Sequence, residues 1–237
     1  MVEAGANYMT GLVGNISIPA YSGSNVGWAG EISAASDGAG TFSEVTLEPK
    51  RITAYLDVSK QFLLQDSVSA EALLKNDIVK AISNKLEATI LGDAAGSTTQ
   101  PEGIFNGASE IADTSYTTMV GLIQTLEEAN VNGEIKYIVS PAIKAKLKTT
   151  SKDSGSGLFV MENGEVDGIP VLSTSACKGI VVGNFEDYVI GQWGGIDLTI
   201  DPYSQATNGK VRLVVNAYFD AKPRRAEAFV AKTLSED

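Results

Sequence analysis

No lysine or arginine occurs before Lys50, and between Glu3 and Glu31 the chain carries no charge at all. Residues 1–41 are rich in Gly, Ser, Asn and Ala, with apolar residues only scattered among them. Such a stretch reads as extended and weakly self-stabilising, and residues 30–40 as a flexible turn or loop tip. Then the pattern changes. Val45 and Leu47 alternate with Thr46 and Glu48, and after Pro49 the residues Ile52, Ala54, Leu56 and Val58 alternate with Thr53, Tyr55 and Asp57. A period of two indicates strand. With Asn15, Ile16, Ser17 and Ile18 on the other side of the glycines, the economical picture is a long two-stranded excursion. A lone two-stranded ribbon is marginal in water. A chain that commits about 40 residues to one either packs it on something else or folds it back onto its own domain, and both readings stand at this level.

The uncharged stretch is not a membrane span, because Gly, Ser, Asn and Pro19 interrupt it and no run of about 20 apolar residues forms. It lacks the basic start and compact apolar centre of a secretory signal. Without a targeting signal the cytoplasm is the default, and the single Cys177 fits a reducing compartment. Asn15-Ile16-Ser17 is a formal glycosylation acceptor, but nothing else suggests secretion.

The 237 residues include 18 basic and 29 acidic side chains, for a net charge of -11, and 43% are hydrophobic. That is enough to bury one large core or two small ones. Histidine is absent, which removes Ser–His–Asp and Cys–His nucleophile systems and imidazole metal sites. One cysteine makes neither an intrachain disulfide nor a thiolate cluster. The acidic balance argues against an electrostatic nucleic-acid binder. Trp28, Trp193 and the eight tyrosines show no interleaving with a basic patch, so a base-stacking surface is unsupported.

The strongest helix follows the alternating strands. Ser67 or Ser69 can cap its start, and Glu71 sits in its first turn, where the helix dipole favours an anion. Leu74, Ile78, Ile82, Leu86 and Ile90 form one apolar stripe with Val79 and Ala81 beside it, and Lys75, Asp77, Lys80, Asn84 and Glu87 cover the other faces. Gly92 stops it. A helix of about 23 residues spans roughly 34 Å and suits a scaffold lying across a sheet. Residues 92–114 read as loop. Helical spacing at Met119, Leu122, Ile123 and Leu126 then runs to Asn130, Asn132-Gly133 turns, and 135–139 is a short buried strand. Ser140-Pro141 starts a helix through Leu147, with a capping residue and Pro in the first turn. Residues 152–157 read as loop. Strands are expected at 169–172, opening at Pro170, and at 180–182, 188–190, 196–200, 211–219 and about 226–230. The class is α+β with mixed or antiparallel sheets, and no period of 20–50 residues repeats.

The best catalytic candidate is Ser175-Ala176-Cys177-Lys178, an S-x-x-K spacing. On a helix it puts a lysine one turn from a serine, where a desolvated amine acts as base. The accompanying S-D-N and K-T-G elements are missing, and the segment sits between two strands with Gly179 next. Cys177 alone lacks an activating partner and reads as a small buried or semi-exposed residue. Glu127 and Glu128 are helix neighbours about 100° apart, which makes a solvated face rather than an acid/base pair. Asp197 and Asp201 share one face of a strand but are too few for a magnesium or calcium site. Gly155-Ser156-Gly157 lacks the third glycine of a dinucleotide loop, and no phosphate-binding P-loop is present. Lys222-Pro223-Arg224-Arg225 is the one dense basic cluster. It is either a turn facing water or a contact with the acidic surface of another subunit.

From Trp28 onwards the chain resembles the tailed-phage (prophage) major capsid proteins of the HK97-type fold. Gly27-Trp28-Ala29-Gly30-Glu31 is similar to the W-x-G-E entry to that family's extended loop, and Phe42-Ser43-Glu44-Val45-Thr46-Leu47-Glu48-Pro49-Lys50 resembles its returning strand. Val58-Ser59-Lys60-Gln61-Phe62-Leu63-Leu64-Gln65-Asp66-Ser67 resembles the lead into the long spine helix. Leu91-Gly92-Asp93 followed by Gln100-Pro101-Glu102-Gly103-Ile104 resembles the exit from it. Leu147-Lys148, Lys152-Asp153-Ser154-Gly155, Asp167-Gly168-Ile169-Pro170-Val171 and Val182-Gly183-Asn184-Phe185 are similar to further family turns, the last with Asn in place of Asp. Each motif is weak alone, but their common order is specific.

The resemblance implies an extended loop (about 16–58) that reaches over a neighbouring subunit and a spine helix (69–91) behind a peripheral sheet. The implied segments are an N-terminal arm and extended loop at 1–58, a peripheral domain with the spine helix at 59–114, an axial domain at 115–205 and peripheral C-terminal strands at 206–237. It further implies a structural protein without catalytic, cofactor or metal residues. Its partners would be itself, as pentamers and hexamers of an icosahedral shell around phage DNA, with scaffolding, portal and head-decoration proteins as further candidates and no specific nucleic-acid or membrane binding. Its place would be the virion, after assembly in the host cytoplasm. Two departures carry their own expectations. The helical scaffolding segment that opens many family members has no counterpart, which implies a trimmed form or a separate scaffolding protein. Without a lysine before Lys50, the covalent lysine–asparagine weld of some members is not expected at the loop tip. The rivals are an encapsulin-like shell around protein cargo, a Ser/Lys hydrolase and a soluble binding module.

Overall fold

A computed structural model describes residues 1–21, 26–34, 36–61, 67–155 and 157–235, with side chains omitted at 67–72. The chain opens with β1 (Asn7–Met9), β2 (Ile16–Tyr21), β3 (Phe42–Leu47) and β4 (Lys50–Ser59), followed by helix α1 (Ser67–Ile90). Next come β5 (Ser109–Ile111), α2 (Tyr116–Glu128), β6 (Ile135–Val139), α3 (Pro141–Thr149), β7 (Glu165–Val166), β8 (Ile169–Ser173) and β9 (Ile180–Asn184). Three strands finish the chain: β10 (Tyr188–Asp201), β11 (Lys210–Pro223) and β12 (Phe229–Leu234).

The apolar stripe of α1 does what its spacing requires. Ile78, Ile82 and Ile90 are buried and Leu74 and Leu86 half-buried, while Lys75, Asp77, Lys80 and Asn84 face water. The expected caps at Ser67 and Ser69, Glu71 and the lead-in at 62–66 lie outside what is described. The stripe seats on a four-stranded sheet of order β1-β10-β11-β4. Alternate residues of β11 supply the seat: Val215, Ala217 and Phe219 pack with Ile78 and Ile82, joined by Ile52 and Leu56 of β4. Strands β11 and β4 pair without a register shift from Lys210↔Ser59 to Phe219↔Lys50.

A six-stranded sheet of order β5-β12-β9-β6-β8-β7 makes the second layer system. Helices α2 and α3 cover one face, with Met119, Leu122, Leu126, Ile143 and Leu147 against Tyr137, Val139, Ile180 and Val182. The segment after α1 covers the other, with Leu91 and Phe105 against Ile138, Val181 and Phe185. Burial on both faces explains why β9 reads as an unbroken apolar run, as central strands covered on two sides do. Ser115 and Ser140 cap α2 and α3 by accepting from the amides of Thr118 and Ile143. Gly103 is demanded by close approach, since a Cβ there would lie 2.2 Å from the Gly92 carbonyl oxygen.

The strands depart from the sequence reading in several places, among them β5, which forms within residues 92–114 that read as loop. The strands expected separately at 188–190 and 196–200 are one strand, β10, bent by a register shift between Trp193 and Asp197. Gly194, in the left-handed region, makes that bulge possible. The last strand starts later than expected, because 226–228 is a 3-10 turn. Most consequentially, β10 belongs to the four-stranded sheet and β12 to the six-stranded one. Each sheet therefore draws strands from well-separated parts of the chain, because long-range pairing rather than chain order chose the neighbours.

Replacing Ile82 by Ala should cost about 2–5 kcal/mol of stability, because it empties the α1–β11 contact. The exposed neighbour change Val79→Ala should stay within about 0.5 kcal/mol. Urea unfolding followed by circular dichroism checks both.

Candidate assembly surfaces

The two-stranded excursion forms, and its base folds back onto its own domain. Strands β2 and β3 pair antiparallel from Ile16↔Leu47 to Tyr21↔Phe42. Ile16, Ile18 and Leu47 turn one face of the ribbon base onto Val189 and Trp193 of β10. The Trp193 indole N–H donates to the Gly14 carbonyl at 2.6 Å. Farther out the ribbon stabilises itself. The Tyr21 and Phe42 rings lie 4.6 Å apart, the Tyr21 hydroxyl accepts from the Gly40 amide, and the Ser17 hydroxyl donates to Glu44.

A buried ion pair fixes the base. The Lys50 ammonium sits 2.7 Å from a carboxylate oxygen of Asp220, and both side chains are nearly or wholly out of water. The other Asp220 oxygen accepts from the Glu48 amide at 3.0 Å, while the first also takes the Ala221 amide. Lys222 donates to the Thr46 carbonyl at 2.7 Å. Residues 220 and 222 of β11 thus grip the corner between β3 and β4 from two sides.

At the tip, Trp28 and its apolar neighbours are uncovered among the described residues. Val26, Trp28 and Ile32 are fully exposed and Phe42 nearly so. Fully exposed large apolar side chains clustered on one projection mark an interaction surface. Around them stand only anions, Glu31 and Asp37, both exposed. At the far end of the β10–β11 hairpin, Ile200 and Tyr203 are also exposed. On the open face beside it, Arg212 bonds Asp57 through two nitrogens at 2.7 and 2.9 Å. The same guanidinium lies 4.4 Å from the Tyr55 ring centre. The Arg212 hydrogen bonds hold the Asp57 carboxyl below its usual range, against a smaller desolvation effect.

The residues singled out for chemistry do not converge. Ser175 to Lys178 lie in the turn between β8 and β9 rather than on a helix. The Lys178 ammonium pairs with Asp93 at 3.1 Å, where both side chains are more than half exposed. The S-x-x-K spacing therefore creates no desolvated lysine one helical turn from the serine. Cys177 is buried, and burial pushes its thiol up to about 11. Glu127 and Glu128 are exposed on α2. Asp201 caps the following turn by accepting from the Tyr203 and Ser204 amides. In the basic cluster, Lys222 holds Thr46 and Arg224 pairs with Asp187 at 3.0 Å, so two of its three cations serve the chain's own fold. Among the described residues no group of three or more Cys, Asp or Glu side chains is placed to hold a metal. No described helix is long and apolar enough to cross a membrane.

Sequence reasoning passed over the Lys50–Asp220 pair. Its signal was present: the first cation of the chain follows a proline corner, and Asp220 is the one charged residue in the run Val214-Val215-Asn216-Ala217-Tyr218-Phe219-Asp220-Ala221.

An extended hairpin, a long helix behind a four-stranded sheet, and a second sheet covered by two short helices together make the HK97-type capsid fold. The chain belongs to the phage capsid family, whose model matches residues 2–233. It is 26% identical over 235 residues to the major capsid protein of Halomonas phage phiHAP-1, covering 95% of this chain and 39% of that protein. The chain thus spans well under half the length of that curated relative. Among solved structures it resembles the capsid of a native GTA particle, with a TM-score of 0.76 at 17% identity over 97% of this chain and 87% of that one. Against Mycobacterium phage Adephagia the TM-score is 0.77 at 12% identity, covering 100% and 90%.

Asp220→Ala should cost about 3–5 kcal/mol, because it leaves a buried ammonium unpaired. The double change with Lys50→Ala should recover part of that loss, which a double-mutant cycle in urea measures. Cys177 should resist iodoacetamide near neutral pH in the native protein and label fully in denaturant. Labelling of the native protein at the denatured rate would contradict its burial.

Proposed function

We propose that the chain is a structural major capsid protein. Copies of it assemble through the extended ribbon into pentamers and hexamers, and these build the icosahedral head shell that encloses phage DNA. The observation that carries this reading is the ribbon itself. Its base is locked by a buried ion pair while its tip presents Trp28 and Ile32 fully to solvent, in a chain of the phage capsid family. A rigid projection with an apolar end is stable only once a neighbour covers it. Head-to-tail contacts of this kind close into rings.

The remaining roles follow from that one. Residues 115–205, apart from β10 in the four-stranded sheet, supply most of the axial part that meets at ring centres. The four-stranded sheet with α1 is the peripheral part. Catalysis is no part of the role. The family's structural nature supports that, and so does the pairing of exposed Lys178 with Asp93 in a turn rather than with Ser175 on a helix. A net charge of -11 suits a container that does not grip its packaged DNA. Scaffolding, portal and decoration proteins are the further partners, and assembly takes place in the host cytoplasm.

Size exclusion with negative-stain microscopy of the full chain tests the reading. Shells, rings or sheets are expected. A lasting monomer at high concentration would contradict it, and an intact shell filled with a specific protein cargo would favour the encapsulin-like alternative.

A further inference from the structure

Two grooves flank α1, and their charges differ. The larger, about 490 Å³, runs between α1, the N-terminal segment and β10, and counts Glu3 and Glu87 among its lining residues. The smaller, about 240 Å³, lies between α1, β4 and residues 99–101. Ile52, Leu86, Pro101 and Phe219 give the smaller groove an apolar lining, and Arg51 and Lys85 stand at it as exposed cations. Several other cations are already held within the chain: Lys50 by Asp220, Lys178 by Asp93, Arg212 by Asp57 and Arg224 by Asp187. Arg51 and Lys85 have no side-chain partner among the described residues.

The ribbon tip has the complementary composition. It offers an indole and an isoleucine flanked by Glu31 and Asp37, in a segment without a single cation. An indole is the ring a guanidinium or ammonium stacks on best, and Trp and Arg are both enriched among the residues that carry interface binding energy. In the larger groove the Met1 ammonium already pairs with Glu87 at 3.3 Å, so it offers no free cation to the tip, whereas the cations of the smaller groove attract it.

We propose that the Arg51/Lys85 groove is the seat for the Trp28 tip of a second copy of the chain. Trp28 covers the apolar lining between β4 and α1, and Glu31 and Asp37 pair with Arg51 and Lys85. This rests on the assembly reading and adds to it a receptor site and its charge selectivity. It also gives the cation-free N-terminal segment a purpose, because a lysine on the tip would face the two groove cations.

Charge reversal tests the proposal. All four residues are exposed, so the variants should keep the wild-type melting temperature. Arg51→Glu with Lys85→Glu should raise the concentration needed for assembly by on the order of 10-fold or more, as loss of an interface centre does. Glu31→Lys with Asp37→Lys should do the same, and the four changes together should restore assembly. Lys148→Glu, on the exposed face of α3, should change nothing. If wild type assembles but either reversal leaves the threshold unmoved, or the combination fails to rescue, the groove assignment falls while the shell reading stands. A wild type that never assembles overturns both. Fluorescence gives an independent readout. The Trp28 contribution, taken as wild type minus Trp28→Phe, should shift to the blue and resist acrylamide on assembly. An unshifted, quenchable signal in assembled material would overturn the assignment.

Discussion

The Lys50 ammonium and the Asp220 carboxylate meet 2.7 Å apart in a region closed to water. Two such charges are costly to bury and hold their place only with close geometry and further hydrogen bonds. Those bonds are present: Asp220 also takes the amides of Glu48 and Ala221. The result is a fixed corner where the outgoing ribbon becomes β4 of the four-stranded sheet. Without it, the ribbon would join the body chiefly through the apolar contacts of Leu47, Ile16 and Ile18 with Val189 and Trp193, and its tip could point anywhere. With it, the tip is a projection of defined direction that presents Trp28 to solvent.

Charge placement follows the same logic along the chain. The first cation is the one buried at the corner, and everything before it is neutral or acidic. The tip therefore meets no cation of its own ribbon and is free to seek one elsewhere. Several of the body's cations are held in place, and Arg51 and Lys85 are exposed cations that stand beside apolar lining. An electrostatic difference of this kind does more for orientation and register than for raw affinity, and a subunit that must dock one way round needs orientation most.

Much of this was legible in the sequence because local patterns state it directly. The stripe from Leu74 to Ile90 gave α1 its length and buried face, Ser140-Pro141 placed the start of α3, and the alternation around Val45 and Leu56 gave β3 and β4. What remained hidden depends on contacts far apart in the chain. Nothing local tells that β10 leaves the preceding β9 to pair with β11, or that β12 returns to lie beside β9. The strands expected at 188–190 and 196–200 are one, because a bulge at Gly194 uses the same residue types as a loop. The Ser175–Lys178 spacing misled in the opposite way, since it carries meaning only on a helix and the chain makes a turn there. The exposure of Trp28 was equally out of reach, because an aromatic in a Gly-rich segment can be an anchor for its own domain or for another's.

The central claim is that the ribbon is held at its base by its own chain and at its tip by a neighbour. Hydrogen–deuterium exchange of residues 7–59 in isolated subunits and in assembled material measures this directly. The base around Leu47 to Ile52 should be protected in both, and the tip around Val26 to Ile32 should gain protection only on assembly. A tip that exchanges equally fast in both states, or a base that gains its protection only in the shell, would contradict the account.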